Sequence, residues 1–485
     1  MRLSELASVV SDAGLTGGDV DVTRITHDSR EVTPGTLFVA LVGEKLDGHD
    51  YVARAVEAGA SAVVVERPQP GITVPQLVVP RSRIALGKLA ARFYDEPSRK
   101  LKVIGVTGTN GKTTTTYIVR SIVEASGEKA GVIGTIAYTS GDAEVPATNT
   151  TPESVLVERL LAEMVASGMT FAALEVSSHA LDQGRVDEVT FAAGVFTNIS
   201  GEHIDYHKDM TRYVRAKGRL FARLDPDAVA VVNADDPYTG EVLSGSRVRR
   251  VIRYGLGAGA EVRAVDVETG VGGSRFRVAS PWGELVLTSP LAGEHNVYNC
   301  LAAATVTAAL GVTPDAVREG IARLAVVPGR LEPVDEGQDF AVFVDYAHTD
   351  NALENALKAA RKLTSRRVIV VFGCGGDRDR TKRPRMRAVA EELAHVCVVT
   401  SDNPRTEDPA DIIEQIMRGT RDPSKFIVEV DRRTAIRRAV ETARPGDLVL
   451  IAGKGHETYQ IFKDRTIHFD DREVAREVLR EVTSR

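Results

Sequence analysis

Residues 102–116, KVIGVTGTNGKTTTT, limit what this chain can fold into more than any other stretch. Val103, Ile104 and Val106 make an apolar run suited to a buried strand, and Lys112 followed by Thr113–Thr116 reads as the start of a helix. Between them lies a short loop containing Gly108 and Gly111. A strand, a glycine loop and a helix N-terminus in that order aim backbone N–H groups at one point, where an anion can approach the main chain closely. Lys112 adds a full charge, and the Thr113 hydroxyl suits a hard cation such as Mg²⁺, so the pattern reads as a cradle for the phosphates of ATP. Gly108, Thr109, Asn110, Gly111, Lys112, Thr113 and Thr114 form the candidate set. The strict pattern would place glycine at position 106, but Val106 stands there and the glycine is Gly105. The competing reading is a plain strand-to-helix turn with a chance lysine.

A chain of 485 residues is long enough for roughly three domains. Its 43% hydrophobic and 26% charged content fit a globular chain with several cores, and a net charge of −6 argues against a nucleic-acid partner. Cys300, Cys374 and Cys397 lack metal-ligand spacing and read as reduced thiols. The acidic residues near the N-terminus and the lack of an apolar segment there give no sign of a secretory signal. No run of eighteen apolar residues suggests a membrane span, so a cytoplasmic enzyme is expected.

Three blocks follow. Residues 1–99 mix strand candidates at 37–41, 62–65 and 76–79 with a helix at 84–94, and close on a polar, proline-containing linker at 95–100. Residues 100–332 alternate apolar runs (132–136, 171–176, 194–199, 228–233) with helix patterns (153–167, 210–224), the signature of a parallel sheet covered by helices. A turn-rich stretch at 240–283 suggests extra antiparallel strands, and a small-residue helix follows at 295–310. Residues 333–485 alternate again, with strands expected at 341–344, 367–372, 395–399, 426–430 and 447–451. Four of these run into DYAH, GCGGDRD, SDNPR and AGKGHE. Ligands of open parallel sheets bind at the carboxyl ends of strands, so this block should carry a second ligand-facing edge. The expected class is α/β in three domains: an N-terminal mixed α/β domain, a central phosphate-loop parallel-sheet ATPase domain, and a C-terminal Rossmann-like doubly wound domain.

Within the central block, EVSSH (175–179) and NISGEHIDYH (198–207) each follow a buried-looking strand ending on the phosphate-loop edge. Glu175 and His203 could there reach a Mg²⁺ held on the terminal phosphate. A glutamate or histidine at a strand end is otherwise often structural, and Lys217, in YVRAKGRLF, would by itself read as an ordinary lysine on an amphipathic helix.

Together GTNGKTTT, EVSSH, the NIS stretch, AKGRLF, HNVYN (295–299), PGRLE (328–332) and DYAH resemble the ATP-dependent Mur ligases of peptidoglycan synthesis over nearly the whole chain. HDSREVTPGTLFVALVGEKLDGHDY (27–51) is similar to the uridine-nucleotide domain of the branch that adds the third peptide residue. The resemblance implies that His295, Asn296, Asn299 and Arg330 contact the nucleotide, with Asp345 and His348 approaching from the third block. It implies that Ser29 contacts the uridine nucleotide, and that Thr150, Thr151, Ser177, Gln183 and Arg185 contact the muramoyl-peptide. Asp402, Asn403, Pro404 and Arg405 resemble the motif of members that use meso-diaminopimelate, and Arg378, Gly453 and Glu457 complete that pocket. A guanidinium can pair bidentately with the carboxylate that lysine lacks, and Glu457 can meet an ammonium. DNPR would also suit a simple β-turn. The family aspartate before His203 is Glu202 here, and Asp350 replaces the usual proline after Thr349; both bear on local loop geometry.

The implied reaction joins the D-glutamyl carboxylate of UDP-N-acetylmuramoyl-L-alanyl-D-glutamate to an amino group of meso-diaminopimelate through an acyl phosphate. Lys112 and Mg²⁺ neutralise the transferring phosphoryl group. The implied metal ligands are Thr113, Glu175 and Lys217, the last as a CO₂-derived carbamate, and His203 would lie near the acyl phosphate. The expected partners are these small molecules, without nucleic acid, and the expected unit is a monomer. Two other readings stand beside this one. Folylpolyglutamate synthetase also activates a carboxylate but generally lacks a first block of the HDSREVTPG type, and a phosphate-loop NTPase switch or kinase would not form an amide.

Overall fold

The computed structural model describes residues 1–43, 46–141, 144–201 and 204–483. In the first domain a five-stranded sheet runs in the order Gly14–Thr16, Gln76–Val78, Ala60–Val65, Thr36–Val39, Arg24–Thr26, with only the Gly14–Thr16 edge antiparallel. Period-two alternation divides its cores. Leu37 and Val39 pack with Leu86 and Leu89 of the helix Ser82–Phe93, while Phe38 faces Val52 and Ala55 on the other side.

The central sheet has eleven strands. Its middle is parallel, in the order Val229–Asn233, Ala193–Phe196, Lys102–Thr107, Phe171–Glu175, Ala130–Ile133. Ile104 and Val106 pack under the helices Lys112–Ala125 and Glu294–Ala309, whereas Val103 faces Ser154–Ala166 and Met210–Ala222. A Cβ at Gly105 would lie 2.7 Å from the Phe191 ring, which explains a glycine inside this strand. The turn-rich stretch first adds a parallel strand, Arg250–Gly255. Val262–Gly270 then continues parallel to it and pairs antiparallel with Gly273–Ser280, which pairs with Gly283–Ser289.

The third sheet runs Glu332–Pro333, Ala341–Asp345, Leu448–Ala452, Val368–Phe372, Val396–Val399, Phe426–Val428, parallel except for the first. Helices cover both faces, as expected for a doubly wound sheet. The strands expected from sequence are present, with ends displaced by up to three residues. Short pieces were not anticipated, such as Ala137–Thr139, Glu144–Pro146 and the hairpin Tyr459–Ile461/Thr466–His468. The three cysteines are buried free thiols. Among the described residues no helix is long and apolar enough to cross a membrane.

Candidate active site

The phosphate loop sits at the carboxyl end of Lys102–Thr107, clamped by the end of the neighbouring strand. Asn198 accepts from Thr109 N through its carbonyl (2.7 Å) and from Asn110 N through Oδ1 (3.1 Å), and Thr197 Oγ1 donates to the Asn110 carbonyl at 2.6 Å. Gly108 and Gly111 have φ of 150° and 84°, and a Cβ on Gly111 would meet Asn299 Oδ1 at 2.4 Å. Only glycine fits there. Lys112 Nζ donates to the Gly108 and Thr109 carbonyls at 2.9 and 2.8 Å.

Glu175 is fully buried at the end of the adjacent strand, yet its carboxylate is well supplied with donors. Thr135 N reaches Oε1 at 2.8 Å, and Thr113 Oγ1 and Thr135 Oγ1 reach Oε2 at 3.1 and 3.0 Å. Thr150 Oγ1 lies 3.1 Å from Thr135 Oγ1. This group of hard oxygens suits Mg²⁺, which binds few protein carboxylates and otherwise takes water and phosphate oxygens. Accordingly, no set of three His, Cys, Asp or Glu side chains converges as a metal site among the described residues. Thr135 escaped the sequence reading because it fell inside the apolar run 132–136, where a lone threonine carries no distinctive signal; the strand itself ends at Ile133.

A cavity of about 760 Å³ opens from this edge towards the third domain. Its walls include the phosphate loop, Glu175, His295, Asn299 and Arg330 on one side and Asp345 and His348 on the other. Arg330 Nη2 donates to Thr113 Oγ1 at 3.1 Å while its guanidinium lies over the Tyr346 ring. Asp345 accepts from Leu331 N and Ala347 N at 2.8 and 2.9 Å, and burial pushes its carboxyl up against the pull of Arg330. Asn296 does not line the cavity. It stands one layer behind, accepting from Asn299 Nδ2 at 2.9 Å, because that face of its helix is packed into the core. Ser200 Oγ donates to Asn351 Oδ1 at 2.9 Å, and Lys362 pairs with Glu294 at 3.0 Å, so polar contacts join the two domains at this edge.

Lys217 is 2% exposed. Its Nζ donates to the Gly108 carbonyl at 2.7 Å and lies 4.6 Å from the Tyr213 ring centre, while Tyr213 OH contacts Thr109 Oγ1 at 3.0 Å. The helix therefore brings this lysine against the phosphate loop. His203 lies outside the described residues.

The residues assigned to the muramoyl-peptide form a second cluster beside Glu175. Thr151 Oγ1 donates to the Glu175 carbonyl (2.7 Å) and accepts from Ser177 N (3.0 Å). Arg185 donates to the Thr151 carbonyl and to Gln183 Oε1, both at 2.8 Å. Ser29 opens a short 3₁₀ turn, Ser29–Glu31, in the first domain, just past the end of Arg24–Thr26.

In the third domain, Asn403 is buried and holds its loop together: Nδ2 donates to Glu457 Oε2 at 2.9 Å, and Oδ1 accepts from Ile461 N at 3.0 Å. Lys454, unforeseen from sequence and fully buried, donates to both Asn403 Oδ1 and Glu457 Oε2 at 3.2 Å, so Glu457 already has an ammonium partner. Burial would push the Asp402 carboxyl up, but Arg432 and Lys454 hold it below its ordinary range. Gly453, with φ of 122°, packs its Cα face against Asp402. Pro404 is buried, and its carbonyl lies so close to Gly376 that a Cβ there would clash. Arg405, with φ of 53°, donates to the Gly376 carbonyl at 2.9 Å. Arg378 is exposed on the loop that Arg405 touches, and both arginines flank Gly375.

Three family descriptions match successive parts of the chain: the Mur ligase family catalytic domain over residues 21–94, the Mur ligase middle domain over 106–307, and the Mur ligase glutamate ligase domain over 329–455. The UDP-N-acetylmuramoyl-L-alanyl-D-glutamate--2,6-diaminopimelate ligase of Geobacillus thermodenitrificans is 47% identical over 472 residues, 96% of each chain. A solved structure of a ligase with the same name superposes with a TM-score of 0.68 at 33% identity over 95% of both chains. The MurF ligase of Thermotoga maritima in complex with ADP shares the fold, with a TM-score of 0.65 at 21% identity over 94% of this chain and 97% of its own. This chain belongs to the Mur ligase family.

Proposed function

We propose that this protein is an ATP-dependent amide ligase that adds meso-diaminopimelate to UDP-N-acetylmuramoyl-L-alanyl-D-glutamate, forming ADP and phosphate, in peptidoglycan precursor synthesis. The supporting observation is a phosphate loop and a satisfied buried carboxylate, Thr113 with Glu175, facing the third domain across one cavity, in a chain 47% identical to a ligase of that name. A carboxylate is a poor electrophile. Transfer of the terminal phosphoryl group of ATP makes it an acyl phosphate, the amine attacks that carbonyl, and phosphate leaves. Lys112 and the loop N–H groups offset charge on the transferring group, and a bound Mg²⁺ would add Lewis-acid stabilisation. Thr113 and Glu175 would hold that ion.

On this reading Lys217 is carbamylated, which turns a buried cation beside the Gly108 carbonyl into an anion able to support a second Mg²⁺. Arg405 and Arg378 read the distal carboxylate of the incoming amino acid. His203 serves near the acyl phosphate, and Asn296 supports the nucleotide through Asn299. Domains at 1–99, 100–332 and 333–485 divide the work between uridine nucleotide, ATP and amino acid. One chain is the working unit, acting in the cytoplasm, where ATP is available. The test is product mass from purified protein given each amino acid separately, with ATP turnover followed alongside. Ligation requires turnover that depends on both the nucleotide-peptide and diaminopimelate. Hydrolysis indifferent to either would sink the reading.

A further inference from the structure

One carboxylate, outside the set assigned to any substrate, joins the first domain to the muramoyl-peptide cluster. Glu153 stands just before the helix Ser154–Ala166, two residues after Thr151. Its Oε1 accepts from Arg83 Nη1 at 2.8 Å, and Arg83 lies in the first turn of the first-domain helix Ser82–Phe93. The same oxygen lies 3.1 Å from Arg185 Nε, as an ion pair without the alignment of a hydrogen bond. Both Glu153 and Arg185 keep only 17% of their side chains exposed.

The arrangement leaves Arg185 prepared for an anion. A guanidinium has five N–H donors. One on Nη1 goes to the Thr151 carbonyl, one on Nη2 goes to Gln183 Oε1, and Nε faces Glu153. Among the described residues, one N–H on each terminal nitrogen has no partner, leaving donors on both for an incoming carboxylate. Charge points the same way, since two guanidinium groups share one carboxylate and the cluster keeps a net positive charge. Among the described residues, the buried far oxygen of Glu153 accepts no hydrogen bond, and His27 Nδ1 finds no partner. His27 feels the Glu153 charge and lies two residues before Ser29. The carboxylate thus adjoins both the uridine-side turn and the peptide-side arginine.

We propose that Glu153 is a positioning residue of the muramoyl-peptide site, holding Arg185 for the acidic end of the substrate and tying that arm to the first domain through Arg83. The proposal rests on the ligase reading above and on Arg185 as a contact to the nucleotide-peptide. A long arginine side chain loses much rotamer freedom on binding, and fixing it beforehand lowers that cost.

The test is steady-state kinetics of Glu153→Gln, Glu153→Asp and Arg185→Ala with each substrate varied in turn. Glu153→Gln should raise KM for UDP-N-acetylmuramoyl-L-alanyl-D-glutamate by roughly tenfold, the scale of a charge-assisted hydrogen bond. The values for ATP and diaminopimelate, and kcat at saturation, should stay within about twofold. Glu153→Asp, which keeps the charge, should recover part of the loss; if the glutamine variant melts below the assay temperature, the aspartate variant carries the comparison. Calorimetry with the nucleotide-sugar that ends at L-alanine, and so lacks the acidic residue, should give the same Kd in wild type and variant. An unchanged KM, a loss spread evenly over all three substrates, or equal weakening for the shorter ligand overturns the proposal. If Arg185→Ala raises KM for the nucleotide-peptide and neither Glu153 variant does, the proposal alone fails. If Arg185→Ala also changes nothing, the assignment of the peptide to this cluster fails with it.

Discussion

The phosphate-loop edge of the central domain and the third-domain loops proposed to take the amino acid both lie at strand ends, but they are held in place by different means. At the first, regular elements do the positioning: Glu175 ends one strand, Thr113 lies in the first turn of one helix, and hydrogen bonds supply both carboxylate oxygens. At the second, the two arginines sit on loops braced mainly by charge. Glu407 takes the fully buried Arg383 through both oxygens and also accepts from Asp377 N, while Asp377 accepts from Thr406 N and Oγ1. Hydrogen bonds from Arg383 hold the Glu407 carboxyl down at about 2, so this brace stays charged at any working pH. On the proposed function, phosphoryl transfer is built on regular elements, and the choice of amino acid is built on loops that can be re-cut without disturbing the sheet.

The largest effect should come from the rigid edge. Lys112→Ala removes the charge over the transferring phosphates and should abolish measurable ligation, a fall of at least about 10²–10³ in kcat. Near-normal turnover at saturating ATP would break the contrast at its stronger end. Lys217→Ala should likewise inactivate, with partial rescue by a short carboxylic acid; a fully active Lys217→Arg enzyme would exclude the carbamate, since arginine does not form one in this way.

At the loop site the expected loss is selective. Arg405→Ala should cost about 2–5 kcal/mol in kcat/KM for diaminopimelate and much less for lysine, collapsing the ratio between them. An unchanged ratio would show that this arginine does not read the distal carboxylate. Thr406→Val removes one brace and should raise KM for diaminopimelate by the equivalent of about 1 kcal/mol, leaving KM for ATP alone. Equal changes in both would mean that the loops and the phosphate edge are not separable.

The smallest effect on turnover belongs to Glu158, which is as buried as Glu175 but lacks its support. Its Oε2 has no partner, and burial, with Glu188 and Glu96 nearby, pushes its carboxyl up to about 8. A folded value above the unfolded one means that its protonated form stabilises the fold below the ordinary carboxylate range, and that this contribution is lost as pH rises through about 8. Wild type should therefore lose Tm between pH 5 and pH 9 more steeply than Glu158→Gln. Parallel curves would contradict the assignment.

Much of this was legible in the sequence because glycine, charge and strand pattern coincide at 102–116, and because strand ends such as SDNPR carry residue types that a buried sheet cannot use. Thr135, Glu153 and Lys454 were not legible. Each acts through a neighbour distant in sequence, 40 residues away for Thr135 with Glu175 and 51 for Lys454 with Asn403, and none carries a distinctive signal alone. Asn296 shows the reverse case: it belongs to the family motif, but the helix turns it into the core, one layer behind Asn299.

The tether between the central and third domains has a mechanical consequence. Arg330 touches the phosphate-loop threonine, yet it is only two residues from Glu332, which is already paired with Val344 in the third sheet. Gly329 and Leu331 on either side have φ of 67° and 38°, and Gly329 is packed against the backbone at His456. The guanidinium is thus a short crank mounted on the third domain. A turn of that domain about the tether would move the guanidinium against Thr113, so on the proposed reading domain angle and nucleotide contact are coupled.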